Sequence, residues 1–522
     1  MNVNTCKDVK ALRTYAHLLE DQVRTLTRRI SEQAAELAKA RGEDEANLEL
    51  ELRLLQEQVD RTNDRLFGDS SERRAKDKDP SNEQPRKKRP GHGPRPQPQL
   101  PLVEAEHELD EADKICPGCG KELAEWSGQH EESEEIDVIV PTYRLVRHKR
   151  KKYRCRGCRH VEAALGPDKL VPGGRYSLRF AVSVAVAKYA DHLPLARQVK
   201  QMARQDLHVT SQTLWDQVHA LSDKLGKTYE ALIAHVLAAG VICVDETTWR
   251  LLSAKSKKKW WVWTAVGNGA AFYQILPSRS ADAAREVLRQ YRGTVMADGM
   301  GAYSSLEKSS ANSVRAGPRF RLAQCWTHSR RKLVEAEPHY PQAAVGIELI
   351  GKLYDVERRA NAVVAGVQDE AEQLRLRLDL RQAHSEPVLN ELRRWMTEQR
   401  GLSKSSFGKA IGYIDKRWRG LTMFLTDARI PLDSNGAERA LRGPVLGRKN
   451  HGGSQSRRGT EASAILYSLV RSAELAGVDP LAYLEAATRK ALANPDAVLL
   501  PADFKAELGG DETAAATAAA TA

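Results

Sequence analysis

Val241-Ile-Cys-Val-Asp245 and, further along, Gly293-Thr-Val-Met-Ala-Asp298 are the stretches on which the reading of this chain turns. Each is a short apolar run with β-branched residues that ends on an aspartate, the pattern of a buried strand delivering an acid to the rim of a sheet. A third acid, Glu438, lies in the helix-like Asn435-Gly-Ala-Glu-Arg-Ala-Leu-Arg442, just ahead of the basic Gly447-Arg-Lys-Asn450. An isolated aspartate at a strand end is ordinarily a turn or helix-cap residue, so the argument rests on the three acids together.

Two carboxylates about 4 Å apart repel by roughly 4 kcal/mol at an effective dielectric near 20. Such a cluster is tolerable when divalent cations sit in it, and magnesium binds through few protein carboxylates while keeping positions for water and phosphate oxygens. A metal pair can activate an attacking oxygen and stabilise a leaving one in an in-line displacement.

The surrounding pattern supports this. Trp260 to Val266 and Ala271 to Leu276 read as a hairpin closed by Gly-Asn-Gly, a helix follows from about Ala281 to Tyr291, and Arg321 to Cys325 is a fifth strand before a basic helix with His328, Arg330, Arg331 and Lys332. Three strands, helix, strand, helix, strand is the order of an α/β ribonuclease H-like domain, predicted over 238–485. A polar, helical insertion is expected at about 339–430, with Leu349, Leu353 and Val356 at helical spacing. It separates Asp298 from Glu438 by 140 residues. A doubly wound nucleotide-binding domain fits less well, because the chain contains no GxxxxGK[ST] loop.

At 522 residues the chain is expected to be multidomain. Residues 8–67 read as an α coiled coil, with Leu12, Leu19 and Leu26 on one seam and Val23, Ile30 and Leu37 on the other; self-association or a hairpin is favoured over packing on the protein's own body. The Pro- and charge-rich stretch 68–101 is a disordered basic linker. In 102–165, Cys116-Pro-Gly-Cys119 and Cys155-Arg-Gly-Cys158 are two knuckles that would aim four thiolates at one structural zinc. Residues 175–228 are helical, and Leu195 to Trp215 has helix-turn-helix spacing with Thr210 or Ser211 as cap. Residues 486–522 are read as a tail.

The net charge of +12 favours a polyanionic partner. It is clustered: Tyr143 to His160 holds nine Arg or Lys and no acid, and Arg439 to Arg458 holds six and no acid. In the second cluster Arg439, Arg442, Arg448, Lys449, Arg457 and Arg458 are candidate contacts to DNA phosphates, the bland alternative being a solvated helix face. His328 could touch a leaving strand, although a structural histidine is the commoner role. No signal segment and no apolar run of spanning length is read, so a cytoplasmic protein without membrane partners is expected.

These residues together resemble transposases of the insertion-sequence sixty-six family, of the DDE class. The resemblance includes Arg65-Leu-Phe-Gly-Asp-Ser-Ser-Glu-Arg73, both cysteine pairs, Lys188-Tyr-Ala-Asp-His-Leu-Pro-Leu195, Val244-Asp-Glu-Thr-Thr248, Ala297-Asp-Gly-Met-Gly-Ala-Tyr303, Cys325-Trp-Thr-His-Ser-Arg-Arg-Lys332, Ala437-Glu-Arg-Ala-Leu-Arg442, Gly447-Arg-Lys-Asn450 and Gly477-Val-Asp-Pro-Leu-Ala-Tyr483. It implies that Asp245, Asp298 and Glu438 hold two magnesium or manganese ions. It also implies a DNA substrate, the inverted repeats of a mobile element together with target DNA, and small accessory proteins as further partners. Two departures stand out: Asp433-Ser434-Asn435 replaces the commoner Asp-Asn-Asn, and His451-Gly452-Gly453 stands where aromatic residues are frequent. The expected activity is metal-dependent strand cleavage and strand transfer. A nuclease of the same fold and a non-catalytic DNA-binding descendant are the alternatives.

The cysteine spacing predicts one zinc per chain, and structural zinc in small domains is worth about 10–16 kcal/mol. Elemental analysis of protein purified without chelator should find it, and Cys116→Ser should abolish it.

Overall fold

The computed structural model describes residues 143–508, except 155, 157, 159, 254–258, 312–316 and 400–402, together with Thr25, residues 53–58, Asp60, Pro117, Gly118 and Lys121. The chain divides into a body formed by residues 1–66 and 143–522 and a second unit of residues 67–142. The expected linker, most of the expected coiled coil, and Cys116, Cys119 and Cys155 lie outside the described residues. Cys158 is described and exposed. It lies between two short antiparallel strands, β1 (Lys152–Arg154) and β2 (Val161–Ala163).

Among the described residues, four helices lie between β2 and the main sheet. Ser177 caps α1 (Leu178–Tyr189) by accepting from Phe180 N, and Thr210 caps α3 (Ser211–Lys224) by accepting from Thr213 N. Between them lies α2 (Leu195–Ala203), and α4 (Gly226–Leu237) leads into the sheet. The α2–α3 connection, residues 204–210, is longer than the 3–4-residue turn usual in a helix-turn-helix.

The sheet is built from β3 (Val241–Trp249), β4 (Trp260–Gly267), β5 (Ala270–Leu276), β6 (Arg292–Ala297) and β7 (Arg319–Gln324), in the spatial order β5-β4-β3-β6-β7. The first three strands are antiparallel neighbours, whereas β6 and β7 run parallel to β3. Asn268 and Gly269 join β4 to β5 with positive φ values of 49° and 70°, the left-handed conformation a two-residue hairpin turn requires. Helices α5 (Ala281–Leu288) and α6 (Gly301–Ala311) make the crossovers to the parallel strands.

The expectation that the first strand ends at Asp245 is corrected: β3 continues to Trp249. Of the four added residues, Glu246 pairs with Trp263, and Thr247, Thr248 and Trp249, good strand formers, pair with Val262, Trp261 and Trp260. Neighbouring residues on β6 enter different cores, Val295 and Ala297 one and Met296 the other. The sheet thus has a buried layer on each face, as a partly parallel sheet requires.

Between β7 and the last helices the chain is helical: α7 (Trp326–Ala336), α8 (Ala343–Val364), α9 (Glu370–Leu380), α10 (Glu386–Glu398) and α11 (Ser406–Leu421). A single π turn, Arg381–Ser385, joins α9 to α10 and buries Arg381 at 1% exposure. Its guanidinium pairs with both Glu357 oxygens at 2.6 and 3.0 Å and donates to the carbonyls of Phe424, Asp427 and Ala428. Residues 53–58 and 60 of the expected coiled coil are helical and belong to this body. The buried Glu57 carboxylate accepts from Ser406 N, so it caps α11 from a distant part of the chain.

The closing helices are α12 (Asn435–His451), α13 (Arg457–Ala476) and α14 (Pro480–Ala493). Helix α13 covers the edge strand β5. Ser472 Oγ accepts from Ala271 N and donates to Ala271 O, and Ser468 Oγ accepts from Tyr273 N. These serines satisfy backbone groups that an open edge would leave unpaired. The expected tail from 486 is also corrected. Helix α14 runs through that boundary, and Leu499 and Phe504 are buried, with Tyr483 donating to Leu499 O at 2.9 Å; residues 509–522 lie outside the described ones.

Arg381→Met should destabilise the protein by about 3 kcal/mol, because it leaves the Glu357 carboxylate with only the 3.2 Å contact from Arg377 in a largely dry site and takes the donor from three carbonyls. Glu357→Gln combined with Arg381→Met should recover part of the loss, which thermal unfolding of the two variants will show.

Candidate active site

Parallel pairing of β3 with β6 runs Val241 to Thr294, Ile242 to Val295 and Cys243 to Met296, and stops there. Two residues beyond the last pair stand Asp245, still on β3, and Asp298, the first residue after β6. The two-residue period of β3 puts Asp245 on the same side as Val241 and Cys243, which pack with the core that contains Met296 and Trp326. The acids therefore occupy the opening where the strands part. Asp245 Oδ1 accepts from Glu246 N at 2.8 Å, and Asp298 Oδ1 accepts from Met300 N at 2.9 Å, which orients each carboxylate through one oxygen.

Glu438 enters from the first turn of α12. Its Oε1 is buried without a hydrogen-bond partner and lies 3.9 Å from His328 Nε2 on α7. Asp245 feels all of its acidic neighbours. Burial pushes its pKa up to about 7, the charge of Glu246 adds to this, the bond from Glu246 N opposes it, and Asp298 and Glu438 push it further up. Among the described residues no three His, Cys, Asp or Glu side chains are already drawn together as a metal cage. The donor set nevertheless suits a divalent cation: an orphaned carboxylate oxygen and an acid held above its usual range are both relieved by a positive charge between them.

The neighbouring acids have other work. Glu246 is buried, pairs with Arg279 (2.7 Å from Nε) and accepts from Tyr303 OH at 3.3 Å. Burial and then Asp298 raise its pKa, and Arg279 opposes the rise. Asp433 accepts from Asn435 N at 3.1 Å and Asn435 Nδ2 at 2.7 Å, closing the turn before α12.

Three further side chains frame the site, and sequence reasoning gave none of them this role. Cys325 Sγ accepts from Ser434 N at 3.4 Å, tying α7 to the start of α12. Burial alone would raise its thiol, but interactions with His328 and Ser434 prevail and lower it; the contact with Cys325 in turn raises His328 against the opposing effect of burial. On α11, Arg417 lies 3.7 Å from the centre of the Tyr413 ring and donates to Gly299 O at 2.8 Å. A Cβ on Gly299 would meet the Tyr413 hydroxyl and the Arg417 guanidinium, so a larger residue after Asp298 would displace the ends of those two side chains. The i, i+4 spacing of Tyr413 and Arg417 was visible in the sequence, but nothing there linked it to Asp298.

The six candidate phosphate contacts divide. Arg439, Arg442 and Lys449 are exposed on α12, and Arg439 and Arg442 line a cavity of about 280 Å³. Arg448 instead turns inward to Thr247 Oγ1 at 3.4 Å, Thr248 Oγ1 at 2.7 Å and Thr248 O. Arg457 pairs with Glu461 at 3.3 Å, and Arg458 lies 3.4 Å from His219 Nε2; both are exposed.

Residues 173–462 match the model of the family described as Transposase IS66 family, and residues 113–159 match that of the zinc-finger binding domain of transposase IS66. Among curated relatives, the uncharacterized protein y4qI of Sinorhizobium fredii (strain NBRC 101917 / NGR234) is 31% identical over 414 residues, 76% of this chain and 74% of its own length. The uncharacterized protein y4jD of the same strain is 30% identical over 399 residues, covering 72% and 76%. No described helix is long and apolar enough to cross a membrane.

Asp245→Asn should stabilise the metal-free protein. The folded pKa of about 7 lies above the ordinary aspartate value of 3.8, so the wild type loses stability as pH rises between these values, at up to about 1.4 kcal/mol per unit. The advantage of the variant in thermal unfolding should grow from pH 4 to pH 7 and level off above.

Proposed function

We propose, from the premise that the chain belongs to the IS66 transposase family, that it binds the terminal inverted repeats of a mobile element, cleaves their strands, and joins the freed 3′-ends to target DNA. The observation that carries this reading is the placement of Asp245 and Asp298 each two residues beyond the last β3–β6 pair, with the unpartnered Glu438 oxygen contributing to the same field. The strand order β5-β4-β3-β6-β7, with its helical insertion before α12, supports a ribonuclease H-like DDE domain.

Asp245, Asp298 and Glu438 would hold two magnesium or manganese ions. When bound, such a pair supplies an activated attacking oxygen and stabilisation of the leaving one. The chain's own residues do the remainder. The backbone amides of Glu246 and Met300 orient the aspartates. Cys325 fixes the start of the helix that carries Glu438. His328, beside Glu438, is placed to donate a hydrogen bond to a DNA phosphate. Arg439, Arg442 and Lys449 offer exposed charge for the backbone, while Arg448 supports β3 from within. Zinc held by Cys116, Cys119, Cys155 and Cys158 accords with the matched zinc-finger family.

The helices α2 and α3, with exposed Ser211 and Gln212 at the start of α3, would supply end recognition, since base reading needs a helix in the major groove. The basic run 144–159 would add salt-dependent phosphate contacts. A homo-oligomer formed through the part of residues 8–67 that precedes the segment around Glu57, which packs on the protein's own body, and small accessory proteins of the same element complete the proposed assembly.

Asp245→Asn, Asp298→Asn and Glu438→Gln should each abolish cleavage of inverted-repeat DNA in magnesium while leaving binding to it largely intact in a mobility-shift assay. A variant that cleaves at the wild-type rate would remove its residue from the triad, and cleavage without joined product would identify a nuclease of the same fold.

A further inference from the structure

The helix that carries Glu438 contains a proline in its interior, Pro444. Proline has no N–H, so the carbonyl four residues earlier loses its intrahelical donor. That carbonyl belongs to Ala440, two residues beyond Glu438 and buried at 1% exposure. An outside donor replaces the missing one: Tyr273 OH, on β5, donates to Ala440 O at 2.6 Å. Tyr273 is itself fixed. It is 1% exposed, its N–H is held by Ser468 Oγ at 2.8 Å, and its ring meets Tyr467 edge-on with centroids 6.3 Å apart. At the other end of the helix, Tyr467 OH lies 3.2 Å from His451 Nε2, and a Cβ on Gly447 would collide with that hydroxyl. Cys325 holds Ser434 N at the helix start. Glu438 is thus bracketed by Cys325 on one side and Tyr273 on the other.

We propose that Tyr273 is a positioning residue for Glu438: its phenol takes the place of the hydrogen bond that Pro444 removes and sets where α12 sits against the strands bearing Asp245 and Asp298. The proposal rests on the reading of Glu438 as a metal-binding acid. Tyr273 is almost fully buried, and its route to Glu438 is the Ala440 carbonyl.

The pairing of a missing donor with its replacement provides a specific rescue. In the full-length chain, Tyr273→Phe removes the outside donor, and Pro444→Ala restores the inside one. Strand cleavage is measured on a duplex carrying the inverted repeats that flank the coding sequence. Manganese affinity is measured by electron paramagnetic resonance, and hydrogen exchange of the α12 segment is followed in parallel. Tyr273→Phe should lower kcat and manganese affinity on the order of 10–100-fold, the range for residues that support a metal ligand. KM for DNA should be unchanged, and exchange within α12 should be faster. Pro444→Ala alone should behave as wild type, and the double variant should recover most of both losses. Wild-type kcat and manganese affinity in Tyr273→Phe, or a double variant no better than Tyr273→Phe, overturns the proposal. A Glu438→Gln protein with undiminished cleavage and manganese affinity overturns the reading of the site instead.

Discussion

An acid buried beside other acids is the constraint on which the sheet domain of this protein depends. Asp245 sits on a strand whose apolar residues pack into two cores, and burial together with the charges of Glu246, Asp298 and Glu438 holds its carboxyl far above the usual range. A fold selected for stability alone would place an arginine there, as this one does for Glu246 with Arg279. Leaving Asp245 and Glu438 without such partners keeps the site receptive to cations, and the rest of the domain must then hold like charges in place against their repulsion.

It does so by backbone geometry more than by ion pairs. Pairing of β3 with β6 stops after Cys243 and Met296, each aspartate stands two residues beyond, and backbone amides orient them. Glu438 arrives on a helix held from outside at several points: by Cys325 at its start, by Tyr273 in its middle, and by Arg448 and the Tyr467–His451 contact near its end. Burial keeps His451 neutral by lowering its pKa to about 4, so it can accept from Tyr467 through Nε2 while donating to Gly453 O through Nδ1. The glycine of the Gly447-Arg-Lys-Asn stretch follows from the same packing, since the Tyr467 hydroxyl occupies the space a side chain would need.

The helical insertion contributes to this arrangement rather than only interrupting the sheet. Its last helix sends Tyr413 and Arg417 against Gly299, next to Asp298, and the start of that helix is capped by Glu57 from the N-terminal segment. A residue far away in sequence is thereby linked through one helix to the loop beside the site. The buried Arg381–Glu357 pair, with its three carbonyl acceptors, stiffens the same insertion at a π turn.

The strands around Asp245 and Asp298, the hairpin turn at Asn268-Gly269 and the acid on α12 were legible in the sequence because each is governed by local physics: β-branched apolar runs, left-handed turn residues, and helical spacing next to basic charge. The reach of β3 to Trp249 was not legible, because it depends on cross-strand partners in β4. Nor was the packing of residues 494–508, which depends on Tyr483 of α14: its hydroxyl holds Leu499 O and its ring lies against Phe504. The roles of Cys325, Tyr413, Arg417 and Tyr273 belong to the same class. A sequence can display a proline inside a helix, but which side chain supplies the donor that the proline lacks is decided only when strand and helix are brought together in the fold.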